Sequence, residues 1–203
     1  MKREVFLQKV RQQLGRVADS PVATPPRFRV EARPFSVDPD SLQQLFLDRQ
    51  SQLDVAVTLA CSRSDAQMAV EELLKERKWR ISCALDVRWA GIAGCWTDSA
   101  AEADFGLCVA EWAIAETGSV VLVLAGTHTR GASLLPPAVG FFVAKSRLVA
   151  RLGDVLHFLD ADGGLPACVT MVTGPSASAD IVGVRTVGVH GPSQVRVYII
   201  ENE

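Results

Sequence analysis

The sequence lacks the paired cysteine motifs that bind metal clusters or form disulfide frameworks. Its five cysteines are far apart, include no CxxC pair, and lie among apolar or small residues: Cys61, Cys83, Cys95, Cys108 and Cys168. Zinc and iron–sulfur sites favour closely spaced cysteines, and disulfide-rich domains favour an even number. We therefore expect buried, reduced thiols, and neither a metal site nor a redox cofactor in this chain.

Long apolar runs are also missing. The longest, such as Val120 to Ala125 and Val139 to Ala144, have the length of a strand and fall far short of the roughly 20 residues that span a bilayer. Residues 1–16 mix charged and apolar side chains, without the apolar core or the cleavage site of a secretory signal. We expect a cytoplasmic protein that does not insert into a membrane.

An excess of basic charge is missing as well. The 21 lysines and arginines are scattered and are balanced by 23 acidic residues, which gives a net charge of -2. Because phosphate contacts need a basic surface, nucleic acid is excluded as the main partner. There is also no GxGxxG or P-loop motif, no GxSxG elbow and no HExxH spacing, so the usual signatures of nucleotide, hydrolase and helical zinc sites are absent.

The N-terminal region predicts a helical arm. Val5, Phe6, Val10 and Leu14 have helical spacing, and five prolines follow between residues 15 and 39, which indicates an extended linker. We therefore divide the chain into residues 1–40, an amphipathic helix with a proline-rich linker, and residues 41–203, an α/β domain. The sequence leaves open whether the arm packs on its own domain or on a neighbouring subunit, and with it the oligomeric state.

Apolar strands that alternate with helices predict the fold of the domain. Helices are expected after a cap at Asp40 or Ser41, after a capping box of Ser64 and Gln67, and from Ser146 to Leu159. Strands are expected at Asp54–Ala60, Ile81–Leu85, Phe105–Ala110, Val120–Leu124, Val139–Ala144, Cys168–Val172 and Val195–Ile200. Strands that are apolar on both faces favour a Rossmann-like, three-layer α/β fold with a mostly parallel sheet and helices on both faces. The tight turn at residues 116–119 indicates that part of the sheet is antiparallel.

Polar residues next to strands are the candidates for a site, because open α/β sheets bind ligands beyond the carboxyl ends of their strands. The first segment contains Glu116, Thr117 and Gly118, in which a carboxylate follows an apolar stretch and precedes a glycine turn. Glu116 is either a nucleophile, a general base or a ligand anchor, or a turn carboxylate that accepts backbone hydrogen bonds. The second segment, residues 126–131, contains Arg130, which either binds a carboxylate or phosphate or is a solvated loop residue.

Two further segments add small and titratable residues. In the third, Gly174 and Ser176 precede an expected short helix, whose free N–H groups either bind an anion or are capped by the serine. Asp180 in the same segment either orients a site residue or favours the helix start. In the fourth, His190 lies between glycine and valine and is either an acid or base or a structural hydrogen-bonding residue. Together these segments predict a pocket for a small anion.

These segments, in this order, resemble one known family. Ala113 to Ser119, Ser133 to Pro136, Thr173 to Ser176 with Ala179 to Ile181, and Gly188 to Pro192 resemble the lactate-utilization protein C family, whose module is called the LUD domain. The resemblance implies a fold similar to the NagB/RpiA/CoA-transferase superfamily. It also implies a subunit that supports oxidation of L-lactate to pyruvate together with iron–sulfur partner proteins, which would carry the clusters. Lactate or pyruvate would then be the small anionic ligand.

The resemblance leaves two alternatives to a subunit of a lactate-oxidising complex. Glu116-Thr117-Gly118 resembles the Glu-x-Gly motif of CoA-transferases, in which the glutamate attacks an acyl-CoA thioester, so the chain could be a separate enzyme acting on CoA thioesters or phosphate esters. The other alternative is a scaffold or regulatory module without catalysis. The sequence does not decide whether the chain is itself an enzyme.

Overall fold

The structure is a computed structural model that describes residues 3–15, 38–83, 91–124, 130–161, 166, 168–179 and 185–203. The chain divides into two units, Met1–Arg33 and Pro34–Glu203. The first contains the predicted helix, α1 (Arg3–Gln13), whose apolar side chains are all exposed. The predicted linker falls almost entirely outside the described residues, and the predicted boundary at residue 40 stays a prediction. Among the described helices, none combines the length and apolarity needed to span a bilayer.

The second unit alternates strands and helices. Its helices are α2 (Pro39–Gln52), α3 (Arg63–Arg77), α4 (Gly131–Leu134) and α5 (Leu152–Ala161), with a 3-10 helix at Lys145–Arg147. Its strands are β1 (Ala56–Ala60), β2 (Arg80–Cys83), β3 (Cys95–Trp96), β4 (Phe105–Val109), β5 (Trp112–Ile114), β6 (Ser119–Leu124), β7 (Ala138–Ala144), β8 (Leu148–Val149), β9 (Cys168–Val172), β10 (Ala177–Ala179), β11 (Arg185–Val187) and β12 (Gln194–Ile200).

The main sheet has six strands in the order β1-β12-β7-β4-β2-β3, and every neighbouring pair in it is parallel. The predicted α/β fold with a mostly parallel sheet is therefore confirmed. The predicted strands lie within two residues of the observed bounds wherever both ends are described, and β9 matches at both ends. Long apolar strands were recognisable because a parallel sheet buries both of its faces.

Each face of the main sheet has its own hydrophobic core. Successive side chains of a strand point to opposite faces, so the neighbours Phe141 and Phe142 belong to different cores. Phe142 and Tyr198 pack with α3, whereas Phe141 packs with α2 through Phe46. Helices on both faces of the sheet were predicted, and both are present.

A second sheet covers the α2 face, and this differs from the prediction of a single sheet. It has the order β8-β5-β6-β9, in which β6 pairs antiparallel with β5 and with β9. Ala113 and Leu122 face the main sheet, while Trp112 and Val121 face α5. Strands β5 and β6 are apolar on both faces, so both faces have to be covered. Their sheet lies between the main sheet and α5, which cover one face each.

The helix starts also differ from the prediction. The cap of α2 is Asp38, whose carboxylate accepts from the Ser41 N–H at 3.1 Å, because Pro39 suits the first helical position. The capping box of α3 is formed by Ser62 and Asp65 instead of Ser64 and Gln67. Helix α5 begins at Leu152, since the preceding residues of the predicted helix pair with β5 as strand β8.

Tyr198 offers a direct test of this packing, because it is the only tyrosine in the chain. Burial raises its pKa from 10.0 to about 12, since the ionised phenolate is poorly solvated between β7 and α3. We expect tyrosinate absorbance at 295 nm to appear near pH 12 in the folded chain and near pH 10 in urea. Stability from this group is therefore present below pH 10 and is lost as the pH rises towards 12. If the phenol of Tyr198 titrated near pH 10 in the folded chain, its buried position would be contradicted.

Candidate functional site

The first candidate segment forms the hairpin turn between β5 and β6, against the last turn of α2. The Nε of Arg49 donates to the carbonyl oxygen of Glu116 at 3.0 Å, and the Nε2 of Gln50 donates to the carbonyl oxygen of Gly118 at 2.8 Å. Gly118 has a φ of +68°, which favours glycine, and a Cβ there would lie 2.9 Å from the Cβ of Arg49. The backbone of this turn is therefore fixed by α2, while the side chains of Glu116 and Thr117 are exposed.

A chain of three hydroxyl groups joins this turn to the third segment. The Oγ of Ser119 lies 2.7 Å from the Oγ1 of Thr117 and 2.7 Å from the Oγ1 of Thr173. Gly174 follows, with a φ of +71°. A Cβ at this position would lie only 3.1 Å from the Cβ of Leu53 at the end of α2. The first and third segments thus meet at one place, and the structure gives Glu116, Thr117, Gly118 and Gly174 defined positions without testing their predicted chemical roles.

The rest of the third segment meets the fourth. The Ser176 N–H donates to the carbonyl oxygen of Pro192 at 2.9 Å, and the Gly188 N–H donates to the carbonyl oxygen of Ser176 at 2.7 Å. The predicted helix after Ser176 is wrong, because residues 177–179 pair antiparallel with residues 185–187 as a two-stranded ribbon. The proposed anion site at that helix start therefore loses its physical basis. Asp180 lies outside the described residues.

Arg130 and His190 are both exposed, and each belongs to a loop that leads into a strand of the main sheet. The carbonyl oxygen of Arg130 accepts from the Ser133 N–H at 3.2 Å and from the Ser133 Oγ at 3.0 Å, at the start of the short helix α4. The carbonyl oxygen of Pro137 accepts from the N–H of Ser193 at 2.9 Å, which joins the two loops at the starts of β7 and β12.

These two loops therefore lie at the amino edge of the main sheet, not at the carboxyl edge where we expected the site. The reason is topological: residues 130–137 follow β6, which belongs to the second sheet, and they precede β7 of the main sheet. His190 likewise precedes β12. The two candidate catalytic residues lie on different loops, Glu116 on the turn between β5 and β6 and His190 on the loop before β12.

The cysteines agree only in part with the expectation of buried thiols. Cys108 is buried and Cys168 is partly buried, but Cys61 and Cys95 are exposed. Cys61 lies in the bend after β1, and Cys95 lies in the short edge strand β3. Within the described ranges, no three histidine, cysteine or acidic side chains are grouped closely enough to bind a metal ion.

A cavity at the carboxyl edge of the main sheet was missed by the sequence reasoning. It has a volume of about 230 Å³ and lies at the ends of β4, β7 and β12, beside the first residue of α3. Its polar lining consists of Arg63, Glu111, Ser146, Arg147 and Glu203. The sequence signal for these residues was their position, because each of them follows a strand of the main sheet within three residues.

One acidic side chain of the lining already binds an arginine of this cavity. The carboxylate of Glu203 forms an ion pair with the guanidinium of Arg63. The Ser146 N–H donates to the backbone carbonyl oxygen of Glu203 at 3.3 Å, which fixes the residue from a second side. The Arg63 side chain retains 36% of its accessible surface, so the pair is reached by solvent.

Lys145 fixes the neighbouring part of the same edge. Its Nζ lies 2.7 Å from a carboxylate oxygen of Asp40 and 3.6 Å from one of Glu201. The hydrogen bond that the ammonium donates to Asp40 raises the pKa of Lys145 above 10.5, so the ammonium stays charged at neutral pH. The Nε2 of Gln43 donates to Glu201 at 2.8 Å. The start of α2 is therefore joined to the ends of β7 and β12.

Comparison with known proteins identifies relatives. "Lactate utilization protein C" of Halalkalibacterium halodurans is 39% identical over 109 residues, which are 52% of this chain and 47% of that protein. "Uncharacterized protein YkgG" of Escherichia coli is 39% identical over 107 residues, which are 51% of this chain and 46% of that protein. The matched part of the chain thus spans about half the length of the curated relatives.

The fold is also similar to a solved structure. A crystal structure of a DUF162 family protein from Deinococcus radiodurans has a TM-score of 0.62 and 24% sequence identity, and the match covers 81% of this chain and 99% of that one. At this identity the likeness shows the fold alone. The LUD domain family matches residues 56–200, from the start of β1 to the end of β12. The chain therefore belongs to the LUD domain family.

Proposed function

We propose that this chain takes part in lactate utilization, as a subunit that supports oxidation of L-lactate to pyruvate together with iron–sulfur partner proteins. The observation that carries the proposal is the LUD domain match over residues 56–200, together with curated relatives that are named lactate utilization protein C. The proposal includes a cytoplasmic location for the protein.

The chemistry defines what the partners have to supply. Oxidation of L-lactate to pyruvate removes two electrons and two protons from the carbinol carbon and its hydroxyl group. In this proposal the electrons pass to iron–sulfur clusters on the partner proteins, while this chain carries no redox cofactor and binds or positions the substrate. Arginine side chains suit that task, because a guanidinium can donate two parallel hydrogen bonds to one carboxylate.

We expect deletion of the gene to abolish growth on L-lactate in a bacterium that carries it, while growth on glucose is unchanged. L-lactate-dependent reduction of an artificial electron acceptor in cell extracts should be lost in parallel, because the electrons no longer leave the substrate. Complementation with the intact gene should restore both readouts. Undiminished growth and dye reduction in the deletion strain would contradict the proposal.

A second candidate function is supported by the position of Glu116. Its side chain is exposed on a turn whose backbone is fixed by Arg49 and Gln50, so its carboxylate is accessible to a large acyl-CoA molecule. In that case the purified chain should exchange the acyl group on CoA, by transferring CoA from a thioester to a free carboxylate with release of the original acid. Glu116→Gln should abolish the exchange, and Glu72→Gln, an exposed glutamate on α3, should not. Absence of exchange in the unaltered chain removes this candidate.

A further inference from the structure

We infer that the cavity at the carboxyl edge of the main sheet binds a small organic monocarboxylate, and that the side chain of Glu203 occupies part of this site when no ligand is bound. The inference deepens the proposed function and rests on it for the choice of L-lactate as a probe. It differs from the sequence prediction, which placed the anion at the loops of Glu116, Arg130 and His190.

The path of the chain around the cavity is the first argument. From the carboxyl end of β1 the chain enters α3, which packs on one face of the main sheet, whereas from β4 it enters the second sheet on the opposite face. Strand β12 lies between β1 and β7, at the point where the two directions diverge. Open parallel sheets bind ligands at such a point, because the connections separate and leave a crevice.

The size and lining of the cavity define the class of ligand. Its volume of about 230 Å³ is below the roughly 300 Å³ at which pockets for drug-sized molecules begin, so it suits a ligand of a few heavy atoms. Its lining includes the apolar residues Val109, Phe142 and Ile200 together with charged side chains. A short aliphatic carboxylate likewise combines an apolar part with a charged part.

The charged side chains favour a single negative charge on the ligand. Arg63 and Arg147 supply two cations from different elements, the start of α3 and the end of the 3-10 helix. The ion pair of Arg63 with Glu203 brings a carboxylate to this guanidinium. An external carboxylate can take the place of the Glu203 side chain, while the acidic side chain of Glu111 disfavours a second negative charge on the ligand.

The test is a titration of the isotope-labelled full chain, followed by amide NMR spectra, with L-lactate, propionate and the dianion succinate as probes. We expect saturable shifts with L-lactate and propionate at the amides of Ala110, Glu111, Ser146 and Arg147, and much weaker binding of succinate. Shifts that stay linear with concentration, or that occur only around Glu116 and His190, would overturn the inference.

Variants separate the roles of the charged residues. Arg63→Gln and Arg147→Gln should each raise the dissociation constant by about tenfold or more, because each removes a charge-assisted hydrogen bond. Arg147→Gln serves as the second readout if Arg63→Gln does not fold. Glu203→Gln should lower the dissociation constant several-fold, since the competing carboxylate is gone. An unchanged or weaker affinity in Glu203→Gln would refute the occupancy of the site by this side chain.

Arg80→Gln is the matched control, because Arg80 also forms a surface ion pair, with Asp104, but lies at the amino end of β2. Its affinity for the probes should equal that of the unaltered chain. The two proposals can fail separately. If the carboxylates bind but the deletion strain still grows on L-lactate, the cavity inference stands and the proposed function fails. If growth requires the chain but no probe saturates, the cavity inference fails alone.

Discussion

Gly106→Ala should strongly destabilise the α/β domain. A Cβ at this position of β4 would lie 1.7 Å from the carbonyl oxygen of Ala132 in α4, a backbone atom that cannot move without shifting the loop before β7. Overpacking of a core usually costs about 1–3 kcal/mol, and we expect the upper end or more here, because no flexible side chain can give way. For a chain of this size, about 3 kcal/mol lowers the melting temperature by roughly 6–12 °C.

Gly153→Ala is the control for this prediction. Gly153 lies in α5, and a Cβ there would meet nothing within 4 Å. Alanine is the better helix former, so the melting temperature should stay the same or rise slightly, with about 0.5–1 kcal/mol of added stability. Equal melting temperatures for Gly106→Ala and the unaltered chain would show that α4 does not pack on β4 as described.

Phe46→Ala should reduce the free energy of unfolding by about 3–5 kcal/mol, the usual cost of truncating a buried phenylalanine. The side chain is fully buried between α2 and the main sheet, in the core that also contains Phe141. The same helix carries Arg49 and Gln50, which fix the turn of Glu116 and Gly118. We therefore also expect faster amide hydrogen exchange in that turn, measured together with urea unfolding.

Leu45→Ala tests whether the effect belongs to the core. Leu45 precedes Phe46 on α2 and is 36% exposed. Its truncation should cost clearly less than that of Phe46, because the side chain is smaller and 36% of its surface remains in water. If the two variants lost similar stability, the helix would be packed through a different face from the one described.

The local elements were predictable because their signals are local. Turn-forming residues border strand β9 at both ends, and Val70, Leu73 and Leu74 have helical spacing in α3. The separation into two sheets was not predictable, since it depends on pairs such as Ala113 with Leu148 that lie far apart in sequence. Leu148 and Val149 also continue the helical spacing of α5, so periodicity alone could not separate strand from helix.

The loops that carry the candidate residues could be recognised from the sequence, but their location in the fold could not. The backbone hydrogen bond from Ser176 to Pro192 joins two of the segments. The edge at which these segments meet depends on which of the two sheets contains the preceding strand. A local sequence pattern does not contain that information. Arg63 and Glu203 are 140 positions apart in the sequence, so only the parallel neighbours β1 and β12 bring them together.

The position of β12 has a consequence for synthesis of the protein on the ribosome. In the described sheet β1 pairs only with β12, although 133 residues separate the end of one from the start of the other. A nascent chain therefore displays two unpaired edges, at β1 and at β7, until β12 leaves the ribosome. Pairing over such a separation is slow, and the open edges can associate with other chains in the meantime. We expect newly made chains to depend on chaperones during that interval.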